Sequence, residues 1–468
     1  MSTKVIKLLA FILIMLIIST AASPAAAQNG ALEGYIQAAF KNNQALQQRN
    51  FQLEKSMYAL EEARGMFLPQ VSLLGSYTKS SGGRTIDVPI GDLMNPVYAT
   101  LNELTGSQKF QSVSNQSFLL NPDNFYDAKV RTSLPLINTE IWYAKQIRQE
   151  DITRQQAAVN AYKRQLVKDI KSAYYRYFQA ARSVDIYQNA LELVLENIRV
   201  NESLLKNGVR NSTALTRAKT EQQRTLASIT AARNNQQNAR SYFNFLLNRQ
   251  LTDSITMDSA ALTVVSDQSV AVSDERRRLD HIDISGREEL LQLDKTKRIA
   301  LLQQKQQQAG IIPKVNTFLD LGSQAYNWNF NHNSRYYLWG VNLQWDLFTG
   351  GQRRAKAKQA ASDAFTAQAM YDETAQNMRL ELTTAENNLQ TARSNYQSAQ
   401  TQLQLSEKYY TDQVKVYKEG QLLYLELLDA QQQLTNARLE ALQTYAQVQI
   451  AQAEIERAQA TYPLPNQQ

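Results

Sequence analysis

Residues 140 to 207 and residues 352 to 419 contain neither Gly nor Pro. No other feature limits the fold so severely, because each stretch is free to form one unbroken helix. At 1.5 Å per residue such a helix is about 100 Å long. The apolar positions agree. Leu166, Ile170, Ala173, Tyr177, Ala180, Val184, Tyr187 and Leu191 follow one another at alternating steps of four and three. A shift of 212 positions (420 − 208, the spacing of Gly208 and Gly420) maps them onto Met378, Leu382, Ala385, Leu389, Ala392, Tyr396, Ala399 and Leu403. Every one of these is apolar or Ala, and a sustained 3-4 spacing is the seam of a coiled-coil-like helix. The chain is therefore an internal repeat built around two very long helices.

Each long run ends at a Gly in the same relative place: Gly208 in KNGVRNSTALTRAK and Gly420 in KEGQLLYLELLDAQ. Glycine adopts left-handed backbone angles at little cost, so it ends a helix and starts a reversal. The seam then resumes, through Leu427, Ala430, Leu434, Ala437, Ala441, Val448, Ala451 and Ile455 in the second copy. The first copy is weaker: Leu215, Ala218, Ile229, Ala232, Ala239, Phe243 and Leu246. Each repeat reads as a long helix, a tight turn and a returning helix. Frequent Ala on both seams lets helices approach closely, which suits a wall of packed helices.

Before each long helix the period changes from 3.6 to 2. Tyr337, Trp339, Val341, Leu343, Trp345 and Leu347 alternate with Leu338, Gly340, Asn342, Gln344 and Asp346. Residues 313 to 328, 69 to 79 and 128 to 137 are further strand candidates, with Pro69 and Pro313 leading in and Pro135 placed for a bulge or a strand end. Such alternation fits a soluble sheet with one wet face or a membrane barrel strand with an apolar lipid side. Trp142, Trp328 and Trp339 fall at or near the expected strand ends, where interface anchors sit. Four strands cannot close a barrel, since the smallest membrane barrels have about eight. If these strands span a membrane, several chains share one barrel. Residues 80 to 127, rich in Gly, Ser, Asn and Pro, read as a long, partly mobile surface loop between the first two strands. Residues 251 to 286 break the helical pattern and read as a mixed connector between a first repeat at 28 to 250 and a second at 287 to 468.

The beginning of the chain indicates export. Lys4 and Lys7 precede an apolar run from Leu8 to Ile18, and Ala25 and Ala27 fit the small-x-small rule, so residues 1 to 27 are expected to be a signal peptide. The run is shorter than the roughly 20 residues of a spanning helix, and no later stretch approaches one. There is no Cys, hence no disulfide, thiolate metal site or lipid-anchoring cysteine. The formal charge of +7 becomes +5 once Lys4 and Lys7 are removed (7 − 2). That excess is spread out, with one tight cluster at Arg276, Arg277 and Arg278, and shows no nucleic-acid stripe. The only histidines are His281 and His332, far apart, and Asp280, His281 and Asp283 read as polar connector rather than a metal site. No phosphate-binding loop, dinucleotide fingerprint or nucleophile elbow is present. The residues imply neither catalysis nor a cofactor.

Taken in order, ALEGYIQAAFKNNQAL, EEARGMFLPQVSLLGSY, GREELLQL, WDLFTGGQRRAKAKQA and EGQLLYLELLDAQQQLTNARLEA resemble the TolC family of outer-membrane efflux proteins over nearly the whole mature chain. The resemblance implies a homotrimer whose subunits each give four strands to a twelve-stranded barrel in the outer membrane. The barrel would continue into an α-helical tunnel across the periplasm, each long helix lying beside two shorter ones, the first near residues 31 to 67. It implies a passive exit duct of a tripartite efflux or type I secretion system. Its helical tip, at the Gly208 and Gly420 turns, would dock a periplasmic adaptor joined to an inner-membrane pump of the RND, ABC or a similar class. The alternative is a periplasmic coiled-coil adaptor or scaffold whose strands form a soluble sheet.

Glu426 and Asp429 stand three apart on one helical face, beside the seam. Alone they read as a solvated face; the resemblance implies a cation-selective constriction, since charges lining a narrow pore set its selectivity. The family's gate ties the tip shut through a Tyr, an Arg and an Asp. Tyr417 matches the Tyr, but Leu422 stands at the Arg position and Ala214 at the Asp position, with Thr213 matching a neighbouring hydroxyl. The usual ionic latch is missing, leaving Arg210 or Arg217 as possible partners for the two acids.

Overall fold

The computed structural model describes residues 30–208, 211–257 and 284–465. The expected signal peptide, Arg210, the Arg276–Arg278 cluster and the Asp280, His281 and Asp283 group lie outside the described residues.

In the first repeat α1 (Ala31–Asn42) and α2 (Gln44–Gly65) lead to β1 (Gln70–Thr78). An insertion carries β2 (Thr85–Val88), α3 (Ile90–Thr105) and β3 (Gln116–Leu119). Then follow β4 (Phe125–Ile137), the long α4 (Thr139–Lys206) and α5 (Ser212–Leu246). The second repeat runs α6 (Glu288–Gln308), β5 (Lys314–Tyr326), β6 (Arg335–Gln344), the long α7 (Gln352–Lys418) and α8 (Tyr424–Ala458). The long helices have 68 and 67 residues, and each returning helix has 35. Among the described residues no helix is long and apolar enough to cross a membrane.

Both turns are made as the glycines require, with φ of 72° at Gly208 and 77° at Gly420. At the second, the Gly420 N–H donates to the Tyr417 carbonyl (3.0 Å) and the Gln421 N–H to the Val416 carbonyl (3.2 Å), which satisfies the last helical carbonyls. The expected first helix over 31 to 67 is instead two helices. Asn43 breaks it: its Oδ1 accepts from the Leu46 N–H (2.9 Å), capping α2, and its Nδ2 donates to the Leu246 carbonyl at the end of α5 (2.9 Å).

The chain forms two compact units, and each repeat contributes to both. Of the described residues, the first unit comprises 30–55, 152–208, 211–257, 284–297 and 367–465. One of its cores joins Ile36 and Leu46 to Leu166, Ile170 and Tyr174 of α4 and to Phe243, Leu247, Ile255 and Tyr462. A second joins Val194 and Ile198 of α4 to Ala218, Tyr417, Tyr424, Leu427 and Leu428 around the two glycine turns. Leu166, Ile170, Ala173, Tyr177 and Val184 of the seam are buried, Val194 and Ile198 continue its 4-3 phase, and Ala181 and Ala190 are buried one position off it. A helix of 3.6 residues per turn slips about 20° per heptad against a 3.5 repeat, so a long seam broadens.

The second unit, residues 56–151 and 298–366, holds an antiparallel sheet in the order β1-β4-β5-β6. β1 and β6 are its open edges. The two connections at one end are the insertion and residues 327 to 334; all four adjoining helices leave from the other end. One face exposes Val71, Leu73, Val130, Leu321, Tyr337, Trp339, Val341 and Leu343. The other carries Asp127, Lys129, Arg131, Asp320 and Tyr336. On it Arg131 makes a two-pronged bond to Asp320 (both 2.7 Å) and stacks over Phe318, whose ring fills the space above Gly340. Pro135 sits at a register shift in β4 near the strand end. The expected alternation to Leu347 stops at Gln344, where the Trp345 indole turns to donate to the Ile311 carbonyl (3.0 Å).

The insertion over 80 to 127 is not a structureless loop. Besides α3, it pairs β2 with β3, opposing Ile86 to Phe118.

Candidate functional site

Around the glycine turns the second unbroken helix and its return helix meet α4 and α5. Tyr417, in the last turn of α7, is buried, and its hydroxyl donates to Asn201 Oδ1 (2.7 Å). Asn201 Nδ2 donates to the Asn197 carbonyl (2.7 Å), and Asn197 Nδ2 to Gln431 Oε1 (2.7 Å). Gln431 Nε2 donates in turn to the Ala190 carbonyl (3.4 Å). Asn197, Asn201 and Gln431 are each buried. This polar ladder inside an apolar cluster locks the α7–α8 turn onto α4, because each amide left unmade there would cost about 1–3 kcal/mol. It escaped the sequence analysis, although Asn197 and Asn201 follow Ala190 and Val194 in the same 4, 3, 4 spacing. Polar residues in seam phase were the available signal.

Leu422 and Ala214, at the positions of the family's Arg and Asp, both pack against this cluster. At these two positions the structure thus has apolar contact beside an amide ladder. Thr213 is exposed in the first turn of α5. Tyr424 lies beside Tyr417, ring centroids 6.0 Å apart, and burial pushes its phenol pKa up.

Glu426 and Asp429 share one exposed face of α8. Glu426 reaches back to accept from the Leu423 N–H (3.2 Å), capping the helix start. Asp429 accepts from Gln433 Nε2 (2.7 Å). Among the described residues neither acid forms an ion pair, so Arg217 is not their partner.

The tryptophans divide. Trp328 follows β5 and stacks on Tyr77 (5.1 Å) and Tyr126 (5.5 Å), an aromatic cluster at the loop end of the sheet. Trp142 lies in the first turn of α4, at the other end. Trp339, expected near a strand end, is instead the middle of β6, because the strand begins at Arg335; Trp345 stands just past its end.

Away from the turns, Arg287 bridges Glu289 (2.9 Å) and Glu381 (2.6 Å), and Arg457 bonds to Glu381 and Glu454 (2.5 Å to Glu454). Burial opposes the charge on Glu289, but hydrogen bonds and the field of Arg287 hold its carboxyl below the ordinary value. Glu454 behaves alike: burial is outweighed by Arg457 and Lys168.

The model of the family described as outer membrane efflux protein matches residues 35–249 and 285–461. The chain belongs to the outer membrane efflux protein family. Solved structures agree with that fold. The outer-membrane channel OprN is 18% identical with a TM-score of 0.73, over 92% of this chain and 89% of that one. VceC of Vibrio cholerae is 16% identical with a TM-score of 0.71, over 92% and 95%. MtrE of Neisseria gonorrhoeae, in its open state, is 15% identical with a TM-score of 0.71, over 92% and 89%. No curated protein sequence matches the chain. As a member of this family the protein is an outer-membrane efflux channel that extends into the periplasm, not a coiled-coil scaffold.

Proposed function

We propose that three copies of this chain form the duct, and that the α7–α8 turns carry its gate and ion filter. The observation that carries the reading is the four-stranded sheet: two open edges beside an apolar outward face. Open edges are not tolerated in lipid, so β1 of one copy pairs with β6 of the next. Three such sheets make twelve strands, with Asp127, Lys129, Arg131 and Asp320 on the water-facing side and Trp328 and Trp142 at opposite ends as anchors. A pair of acids per copy, exposed and without an ion pair among the described residues, would put six carboxylates (three times Glu426 and Asp429) near the narrow end, where they favour cations. The ladder from Tyr417 to Gln431 keeps the turn closed. The duct is opened by a periplasmic adaptor docking against the Gly208 and Gly420 turns and coupled to an inner-membrane RND or ABC pump.

The test is ion selectivity in planar bilayers. The double variant Glu426→Ala/Asp429→Ala is expected to lose most of its cation preference; an unchanged reversal potential would reject the filter. Trimer formation is read separately, as a heat-modifiable trimer in outer-membrane fractions.

A further inference from the structure

The helix α3 of the insertion packs through its polar side and leaves its apolar side open. Residues 110 to 115 run along it, held by side chains that imitate a strand partner. Asn95 Nδ2 donates to the Val113 carbonyl (3.0 Å) while the Val113 N–H donates to Asn95 Oδ1 (2.8 Å). Asn102 makes the same double bond with Phe110 (2.8 and 3.1 Å). Asn115 Nδ2 donates to the Asp92 carboxylate (3.0 Å), and its Oδ1 accepts from the Asp92 N–H (3.1 Å). The covering segment lies so close that a Cβ at Gly91 would meet the Val113 carbonyl at 2.4 Å. The remaining side carries Ile90, Leu93, Met94, Val97 and Leu104 at helical spacing, and Leu93, Val97 and Leu104 are 69%, 51% and 78% exposed. Such a stripe on a chain's outer surface marks an interaction site.

Two observations select the occupant. Helices that lie on membranes carry Lys and Arg on the polar face; α3 has Asp92 and Glu103 and no basic residue, so it is unsuited to an anionic lipid surface. The insertion also departs from β1, the open edge where, in the trimer proposed above, the next copy joins, and it does so at the end of the sheet away from the long helices. Closure of the barrel therefore carries three identical apolar stripes to one mouth. We propose that each α3 packs its Leu93–Val97–Leu104 stripe against a neighbouring copy, forming an apolar cap that narrows the outer mouth of the duct. Copies related by a threefold axis satisfy one another through such a head-to-tail contact in a closed ring.

This rests on the trimeric reading, and the experiment separates the two. The chain contains no Cys, so Leu104→Cys introduces a single thiol into the full-length protein in outer membranes. A short bismaleimide is expected to convert most of it to covalent dimer, with Leu93→Cys as a second site and Glu103→Cys, on the polar side, giving little product. Adding Val97→Asp should reduce the Leu104→Cys dimer to the Glu103→Cys level. An intact heat-modifiable trimer whose Leu104→Cys and Leu93→Cys thiols react fully with a membrane-impermeant maleimide but do not cross-link overturns the cap alone. The same follows if those thiols react only with a lipid-soluble reagent, which would place α3 in the bilayer. Loss of the trimer in the unsubstituted protein overturns both.

Discussion

The two glycine turns share a backbone and differ in chemistry. α5 and α8 begin and end 212 positions apart (424 − 212 = 212 and 458 − 246 = 212), and Gly208 and Gly420 differ by only 5° in φ (77 − 72). Yet Glu426, Asp429 and Gln431 of the second turn correspond to Ala214, Arg217 and Lys219 of the first, and Tyr417 corresponds to Leu205. The acids and the ends of the ladder are confined to the second repeat. Packing needs only a Gly, a seam and small side chains, so it survives duplication; the gate and filter proposed above depend on off-seam or substituted seam positions, which only one hairpin per copy carries.

The largest test of that contrast is Gln431→Ala against Lys219→Ala. The first leaves Asn197 unpaired in a buried cluster and is expected to cost about 2–3 kcal/mol, lowering the thermal midpoint of the trimer and raising its resting conductance. The second removes an exposed ion pair with Glu202 (3.6 Å) and should change stability by less than about 0.5 kcal/mol. Equal effects would break the distinction.

Next in size, Gly420→Ala and Gly208→Ala sharpen the shared backbone. Nothing lies within 4 Å of a Cβ at either site, so only the left-handed conformation is penalised, by about 1–2 kcal/mol in each. Thermal midpoints that fall unequally would show the turns to be built differently.

The smallest effect is in pH. The Arg287–Glu289–Glu381–Arg457–Glu454 network is made by second-repeat residues, with Lys168 of α4 joining at Glu454 (3.3 Å); Tyr242 and Phe245 stand where Glu454 and Arg457 would be in the first (454 − 212 and 457 − 212). Glu289 and Glu454 have pKa values depressed from 4.5 in the folded chain. Their stabilisation is thus fully present above about pH 4.5 and is lost as pH falls through the lower folded values. Both carboxylates are about 30% exposed, so solvent screening keeps the effect modest. Thermal midpoints of the protein and of Glu289→Gln/Glu454→Gln should differ at pH 7 and converge near pH 3.

Much of the fold was legible beforehand because its determinants are local. The long helices begin and end within a residue of the Gly- and Pro-free runs, and the strands carry their apolar side chains where the period of two puts them. What was misread involved partners distant in sequence. Asn43 breaks the first helix because Leu246, about two hundred positions away, offers a carbonyl to its side chain. The insertion looked like a loop because its Asn residues, ordinarily turn formers, here act as strand mimics along α3. Among the candidate site residues, Tyr417, Leu422, Ala214 and the two acids were singled out by the family resemblance, whereas Asn197, Asn201 and Gln431 emerged only when the helices were brought together.

By itself, then, the order of residues determined element lengths, the two reversals, the duplicated plan and which strand face is apolar, because glycine, proline and periodicity act on neighbouring residues. The tertiary structure alone decided the strand order with its open edges, the buried ladder at the turn and the outward stripe of α3. Each of these depends on which distant side chains meet once the helices and strands pack, and on which backbone groups packing leaves without a partner.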